Sequence, residues 1–315
     1  RGAPAQCAYR EVTDLVRPAV RRQALPPSLG APSPLTTRAW KLLKGLATVL
    51  SFRSNPGVES IVMTKKALIA AVALAAAGAG MPSMSYADVA FNVGAVSDYR
   101  YRGISQTRLK PALQGGVDYT QGGLYLGAWA STIKWVEDTG RILAVDTGNA
   151  NLELDLYGGY KGEIVKDVGY DVGVLVYVYP GNKLGDTSPA FKNANTTEIY
   201  GALTYGPATL KYSHAVTNLF GNPDSKNSFY VDASATFDVQ GFSVTPHIGY
   251  QKVKGPYDDP ATYTDYSLTV AKEVSKGLVV SLAVIGTDAD KTWYVSPAGK
   301  FLGKSTAVLG VKYNF

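Results

Sequence analysis

The chain has few of the residues on which metal centres, disulfides and most catalytic sites depend. Its 315 residues include one cysteine, Cys7, and two histidines, His214 and His247. A single thiol excludes a disulfide framework and a cysteine-based metal site. Membrane-spanning helices need about 20 consecutive apolar residues, and the sequence has no such run. We therefore predict no catalytic residues, no metal site and no cofactor.

Residues 63–87 have the three parts of a secretory signal. Two lysines near the start are followed by an apolar run of about 14 residues, and Ser85-Tyr86-Ala87 forms a cleavage site with small flanking residues. The apolar run is too short to span a bilayer as a helix. We predict a signal-peptide helix, cleavage after Ala87 and a mature chain that begins at Asp88.

Residues 1–62 are strongly basic, with nine Arg or Lys residues against three Asp or Glu residues. A basic tract can bind nucleic acid. We interpret this tract instead as a disordered, non-native upstream extension, translated from a start codon assigned too early. Without the extension and the signal, residues 88–315 carry a net charge of −2, so charge gives no reason to expect a nucleic-acid partner.

Residues 88–315 alternate between apolar and polar side chains, as in Val89, Phe91 and Val93 against Ala90 and Asn92. This period of two predicts β-strands. Segments of about ten residues suit a tilted membrane strand better than a soluble strand of five or six residues. We predict about 12 strands, with the spans 88–101, 111–121, 123–133, 151–162, 168–179, 195–205, 207–216, 227–238, 240–252, 263–274, 277–287 and 303–315.

The links between these predicted strands alternate in length. Long polar links such as 133–150 and 180–194 follow one set of strands, and short links such as 206–207 follow the other. This alternation is typical of barrels with long external loops and short periplasmic turns. Because lipid offers no hydrogen bonds, the sheet must close on itself. We therefore predict an all-β fold, a closed antiparallel transmembrane β-barrel over residues 88–315 whose first and last strands pair.

The last residues also resemble a barrel strand, because Val311, Tyr313 and Phe315 share one face and Phe315 ends the chain. We expect the barrel-assembly machinery to bind this strand. Aromatic side chains form belts at both membrane interfaces in such barrels. We assign Tyr313 and Phe315 to the periplasmic belt, and Tyr99 and Tyr101 to the external belt.

The stretch Val96 to Thr107, with the sequence VSDYRYRGISQT, resembles the opening signature of the TorF-type porin family of Gram-negative outer-membrane proteins. The segment Gly123 to Ser131 and the final residues 310–315 are also similar to that family. The resemblance implies a barrel with a transport role and brings no agreed catalytic or ligand-binding residues. Residues 1–62 depart from the family pattern.

The strand alternation also predicts which polar side chains face the lumen. The predicted lining residues are Asn92, Asp98, Arg100, Arg102, Glu153, Asp155, Glu198, Lys211, Asp232, His247 and Lys312. Charges of both signs would hold water and set an ion preference. Two arrangements stay open for Arg100 and Arg102: they line an external constriction or pair with lumen carboxylates such as Glu153. In a narrow barrel, the same charges would form an ion-pair network that plugs the lumen.

These patterns favour a channel in the bacterial outer membrane through which small hydrophilic solutes or ions diffuse passively. The expected partners are outer-membrane lipid and the diffusing solutes. The alternative is a narrow closed barrel with a structural or adhesive role through its external loops. A soluble barrel with an apolar interior is disfavoured. Ser213-His214 resembles a catalytic pair, but neighbours on a strand point to opposite faces.

Overall fold

The computed structural model describes residues 87–315, so the predicted upstream extension and nearly all of the predicted signal lie outside the described residues. Within residues 87–315 the chain forms 15 strands and three short helices. The strands are β1 (Asp88–Val96), β2 (Arg100–Tyr101), β3 (Ile104–Ser105), β4 (Ala112–Gln121), β5 (Leu124–Thr132), β6 (Leu152–Val165), β7 (Val168–Val178), β8 (Thr196–Tyr205), β9 (Ala208–Ala215), β10 (Phe229–Ala235), β11 (Phe237–Val239), β12 (Phe242–Lys252), β13 (Tyr263–Ser275), β14 (Leu278–Thr287) and β15 (Thr306–Asn314). The helices are α1 (Trp135–Leu143), α2 (Leu184–Thr187) and α3 (Asp258–Ala261). No helix in this part of the chain is long and apolar enough to cross a membrane.

The wall of the molecule is a closed antiparallel barrel of 12 strands, as predicted. Strands β10 and β11 form one wall strand interrupted at Thr236, and β2 and β3 form a separate hairpin. Neighbouring wall strands pair in sequence from β4 to β10, and from β12 to β15. The ring closes where β10 pairs with β12 and where β1 pairs with β15, with Val93 opposite Tyr313. The predicted pairing of the first and last strands is confirmed.

The outer face of the wall is apolar. Val93 in β1, Leu268 in β13 and Leu282 in β14 are 52%, 47% and 50% exposed, while Glu153 in β6 is buried at 1%. Soluble monomers rarely expose so continuous an apolar surface. The alternation therefore places apolar side chains outward and polar ones inward, which is the reverse of a soluble barrel that holds an apolar ligand.

Aromatic side chains mark the end of the barrel where β1 begins. Phe91 and Phe315 stack with ring centroids 5.9 Å apart, and Tyr313 contacts Phe315. Lys272 places its ammonium group 4.4 Å from the centroid of the exposed Phe242 ring. Rings and long cationic side chains of this kind suit the boundary between hydrocarbon and water.

The first strand is shorter than predicted, because it ends at Val96 instead of residue 101. Residues 97–111, here called the inner loop, leave the wall and contain the β2–β3 hairpin, with Gly103 (φ +80°) at its turn. The assignment of Tyr99 and Tyr101 to an external belt is wrong, since both pack against other aromatic residues of the interior. A β-hairpin has the same period of two as a wall strand, so alternation alone did not separate them.

The two faces make opposite predictions for an added charge. Replacing the outward Leu268 with arginine places a cation against hydrocarbon near the middle of β13, and we expect Leu268→Arg to destabilise the barrel by about 2–4 kcal/mol. The matched control is Ser267→Arg on the inward face, which we expect to cost much less. Equilibrium unfolding in lipid vesicles measures both losses. Equal costs at the two positions would contradict the assignment of faces.

Candidate functional site in the barrel lumen

The inner loop crosses the barrel interior and touches opposite parts of the wall. On one side, the Tyr99 hydroxyl donates a hydrogen bond of 2.5 Å to Oε1 of Glu153 in β6. On another, Gly103 lies so close to Asp265 in β13 and Thr287 in β14 that a side chain at this position would collide with both. The loop therefore spans the lumen, instead of projecting away from it.

Arg102 lies at the centre of this crossing. Its guanidinium donates to Oε2 of Glu198 at 2.7 Å and to the side-chain oxygen of Gln251 at 2.5 Å. The same group lies 4.2 Å from the centroid of the Tyr230 ring and 4.8 Å from that of Tyr101. The Arg102 side chain is only 7% exposed. A buried cation of this kind is stable only with its charge and donors matched, as they are here by a carboxylate, an amide and two ring faces.

Asp98 and Arg100 hold the base of the inner loop. Asp98 accepts hydrogen bonds of 2.6 Å from Nε of Arg100 and from the hydroxyl of Ser105. Arg100 also donates to the carbonyl oxygens of Gly103 and Leu302, at 2.8 and 2.9 Å. Asp98 and Arg100, both predicted to line the lumen from a wall strand, therefore lie instead in the loop and brace its turn.

Glu153 binds two tyrosines and no arginine. Its two carboxylate oxygens accept hydrogen bonds from the hydroxyls of Tyr99, at 2.5 Å, and Tyr179, at 2.9 Å. The pairing of Arg100 or Arg102 with Glu153, which the sequence left open, does not occur. Arg100 pairs with Asp98, and Arg102 pairs with Glu198.

Tyrosine hydroxyls bind carboxylates around much of the interior. Besides the two bonds to Glu153, the tyrosine–carboxylate pairs are Tyr177–Glu198 at 3.2 Å, Tyr157–Asp118 at 2.5 Å, Tyr125–Asp171 at 2.5 Å and Tyr230–Asp265 at 2.9 Å. A neutral hydroxyl satisfies a carboxylate oxygen as a hydrogen-bond donor and adds no positive charge to the site. These contacts therefore hold the acids in place without adding positive charge to them.

Glycines opposite the tyrosines set where the rings lie. Gly127 faces Tyr157 across the β5–β6 pair, and Gly173 faces Tyr200 across the β7–β8 pair. A side chain at either glycine would overlap the tyrosine ring. Because glycine presents no side chain there, each ring lies against the neighbouring backbone, and in Tyr157 the hydroxyl reaches Asp118 beyond it.

Four further predicted residues lie in the middle of the barrel. Asp232 contacts Nε2 of His247 at 2.5 Å, while Nδ1 of His247 lies 3.6 Å from Asp265. Lys211 pairs in register with Asp232, and its ammonium group lies 4.0 Å from the centroid of a tyrosine ring, that of Tyr200. In β6, Asp155 is two residues beyond Glu153, and one of its buried oxygens has no hydrogen-bond partner among the described residues.

The last two predicted residues lie away from this centre. Asn92 in β1 is half-buried and pairs with Asn314, and Lys312 in β15 is exposed and pairs with Gly94. Both are near the end of the barrel where β1 begins. They therefore do not contact the inner loop.

The sequence pattern did not predict which uncharged side chains bind the charged residues of the lumen, nor how the inner loop is attached to α1. Tyr177, Tyr179 and Gln251 are not among the predicted lining residues because they carry no charge, although the strand alternation places them on the inward face. Arg108 of the inner loop also contacts Asp138 of α1, which anchors the loop outside the wall. Burial raises the pKa of Asp138 above its ordinary value, and the Arg108 guanidinium opposes this shift.

The remaining chemically interesting residues are dispersed. Ser213 is buried, whereas its neighbour His214 lies on the outward face and contacts the Tyr212 hydroxyl at 3.0 Å. The two side chains therefore point apart, as the strand geometry requires. Within residues 87–315, no group of three or more His, Cys, Asp or Glu residues is placed to hold a metal ion.

The chain belongs to a family of bacterial proteins of unknown function, Gcw_chp, whose model matches residues 80–315. A comparison with curated protein sequences finds no match. The family description assigns no activity.

Several solved structures resemble the chain at low identity. The KdgM porin has a TM-score of 0.43 and 7% identity over 73% of this chain and 99% of that one. The NanC porin has a TM-score of 0.44 and 10% identity over 72% and 99%. An outer-membrane channel from Pseudomonas putida F1 has a TM-score of 0.43 and 13% identity over 75% and 97%. These similarities are too distant to assign a solute.

The Arg102–Glu198 contact predicts how firmly the inner loop is held. Arg102→Ala leaves Glu198 buried without its cation while the inner loop is docked. Such a loss destabilises the docked loop by about 3–5 kcal/mol, which shifts the equilibrium between docked and open loop by at least ~100-fold towards the open form. Since residues 88–315 contain no cysteine, the buried Ile104→Cys provides a unique reporter of loop opening. We expect its maleimide labelling to accelerate strongly when Arg102→Ala is added.

The control for this measurement is Arg141→Ala. Arg141 forms an exposed ion pair with Glu137 in α1, and such pairs contribute at most about 1 kcal/mol. Labelling of the Ile104→Cys reporter should be nearly unchanged by Arg141→Ala. Similar rates in both variants would mean that Arg102 does not hold the loop.

Proposed function

We propose that this member of the Gcw_chp family is an outer-membrane channel through which small hydrophilic solutes or ions diffuse passively. One observation carries the proposal: the same closed ring has large apolar side chains outside and charged side chains inside. A sheet in hydrocarbon must be closed, and a lumen with polar and charged walls holds water. The resemblance to TorF-type porins supports the same function, and we propose that the chain is of that type.

The proposal includes a route to the membrane. Residues 63–87 would act as an export signal that is cleaved after Ala87, and residues 1–62 would not be part of the functional protein. The barrel-assembly machinery would bind the strand that ends at Phe315. The mature protein would then be residues 88–315, embedded in outer-membrane lipid.

The proposed lining consists of the 11 polar residues predicted from the strand alternation, in two groups. Residues of the wall, such as Glu153, Glu198 and Asp232, would border the path of the solute. Asp98, Arg100 and Arg102 would act from the inner loop, where they narrow the path and hold the loop in place.

One observation favours the alternative, a closed barrel that acts through its external loops. The inner loop reaches from β6 to β12, and the buried Arg102 lies between Glu198 and Gln251. If no path remains beside this loop, the barrel has a structural or adhesive role. The two functions therefore differ in whether ions pass the inner loop.

Conductance in planar bilayers separates these functions. Purified residues 88–315 should produce discrete conductance steps, and Arg102→Ala should increase the conductance because it releases the inner loop. Arg141→Ala is again the control and should conduct like the parent protein. If only Arg102→Ala conducts, the native barrel is closed and the alternative is supported. An absence of conductance in both proteins would show that the channel proposal is wrong.

A further inference from the structure

The charges inside the barrel are unbalanced. Seven carboxylates of the described wall strands lie in the interior network: Asp118, Glu153, Asp155, Asp171, Glu198, Asp232 and Asp265. Three basic side chains contact the same network, namely Arg102, Lys161 and Lys211, and the buried Asp98–Arg100 pair of the inner loop adds one charge of each sign. The imidazole of His247 lies between Asp232 and Asp265. Acids therefore outnumber cations in the part of the interior that the structure describes.

The excess acids are concentrated on one part of the wall, from β4 to β7. None of the ten ion pairs between described residues includes Asp118, Glu153, Asp155 or Asp171. Three of these acids are held by tyrosine hydroxyls instead. These donors are neutral and add no positive charge, and Lys161, which pairs with Asp171 in register, is a cation on this part of the wall. The four acids outnumber it.

Two buried carboxylate oxygens point to a cationic ligand independently of the charge count. Oε1 of Glu198 and Oδ1 of Asp155 are buried and have no hydrogen-bond partner among the described residues. The Glu198 side chain is only 1% exposed. The two residues flank Tyr177, which pairs with Asp155 in register and donates its hydroxyl to Glu198. Carboxylate oxygens without donors are costly to bury, and a cation that passes between them would supply the missing partner.

The protein's own cationic side chains indicate what the tyrosine rings bind. The guanidinium of Arg102 lies over the Tyr230 ring, and the ammonium of Lys211 lies 4.0 Å from the centroid of the Tyr200 ring. Ring faces attract cations through their quadrupole. The same wall thus offers both carboxylates and ring faces, a combination suited to small inorganic or ammonium cations and not to anions.

We propose that the lumen selects small cations over anions, and that Glu153 and Asp155 on the wall beneath the inner loop are the main selecting residues. This inference rests on the proposed channel function. The selection is electrostatic: fixed negative charge in a narrow, poorly screened lumen concentrates cations and excludes anions. No tightly bound ion is required.

The reversal potential in a KCl gradient tests the proposal. The parent protein should pass K⁺ in preference to Cl⁻, and the double variant Glu153→Gln with Asp155→Asn should lose most of this preference. Both changes keep the shape of the side chain and remove its charge. Asp155→Glu, which keeps the charge, should retain the selectivity. The control Asp186→Asn, at an exposed position in α2, should be unchanged.

The outcomes distinguish this inference from the function on which it rests. Conductance without a preference for K⁺, or with a preference for Cl⁻, would overturn cation selection and leave the channel intact. Selectivity that survives in a folded double variant would overturn the role of the two acids. Folding of each variant is checked by heat-dependent gel mobility. A parent protein without conductance would contradict the channel itself.

Discussion

The structure depends on one constraint, that every strand of the wall has a partner on both sides. The pairing of β1 with β15 gives the first and last strands their second partner. In this pair Val93 lies opposite Tyr313, and the backbone groups of Phe91 and Phe315 exchange hydrogen bonds of 2.9 and 3.0 Å. An open edge in hydrocarbon would leave a row of unpaired amides and carbonyls, each costing several kcal/mol. Once the ring is closed, a side chain on the wall has only two environments, and the period of two in the sequence decides between them.

This constraint explains why most of the fold could be predicted from the sequence. Period-two alternation and the lengths of the links are local properties, and they located all 12 wall strands. The inner loop could not be predicted in the same way, because Asp98 and Arg100 alternate with Tyr99 and Tyr101 whether the segment is a wall strand or a hairpin. The contact that decides its position, Arg102 with Glu198, joins residues 96 apart in the chain.

The interior site was predictable in part for a similar reason. The position of a residue in the strand alternation identifies acids such as Glu153 and Glu198, because a charged side chain on a membrane strand has to face inward. It does not identify the tyrosines that bind these acids, because tyrosine occurs both in aromatic belts and in polar lumens. Tyr99 is the example: its ring suggested the membrane interface, but its hydroxyl binds Glu153. Only the cross-strand register, with glycines opposite tyrosines such as Tyr157, shows where each ring lies.

The inner loop and the acidic wall are physically one system, because Arg102 belongs to both. Its guanidinium is the cation that neutralises Glu198, and it also holds the loop across the lumen. Displacing the loop would therefore widen the path and remove a positive charge from it in the same step. A lumen opened in this way would consequently be more negative than the one in which Arg102 binds Glu198. In the proposed channel, permeation and charge selection would therefore be coupled through the Arg102–Glu198 ion pair.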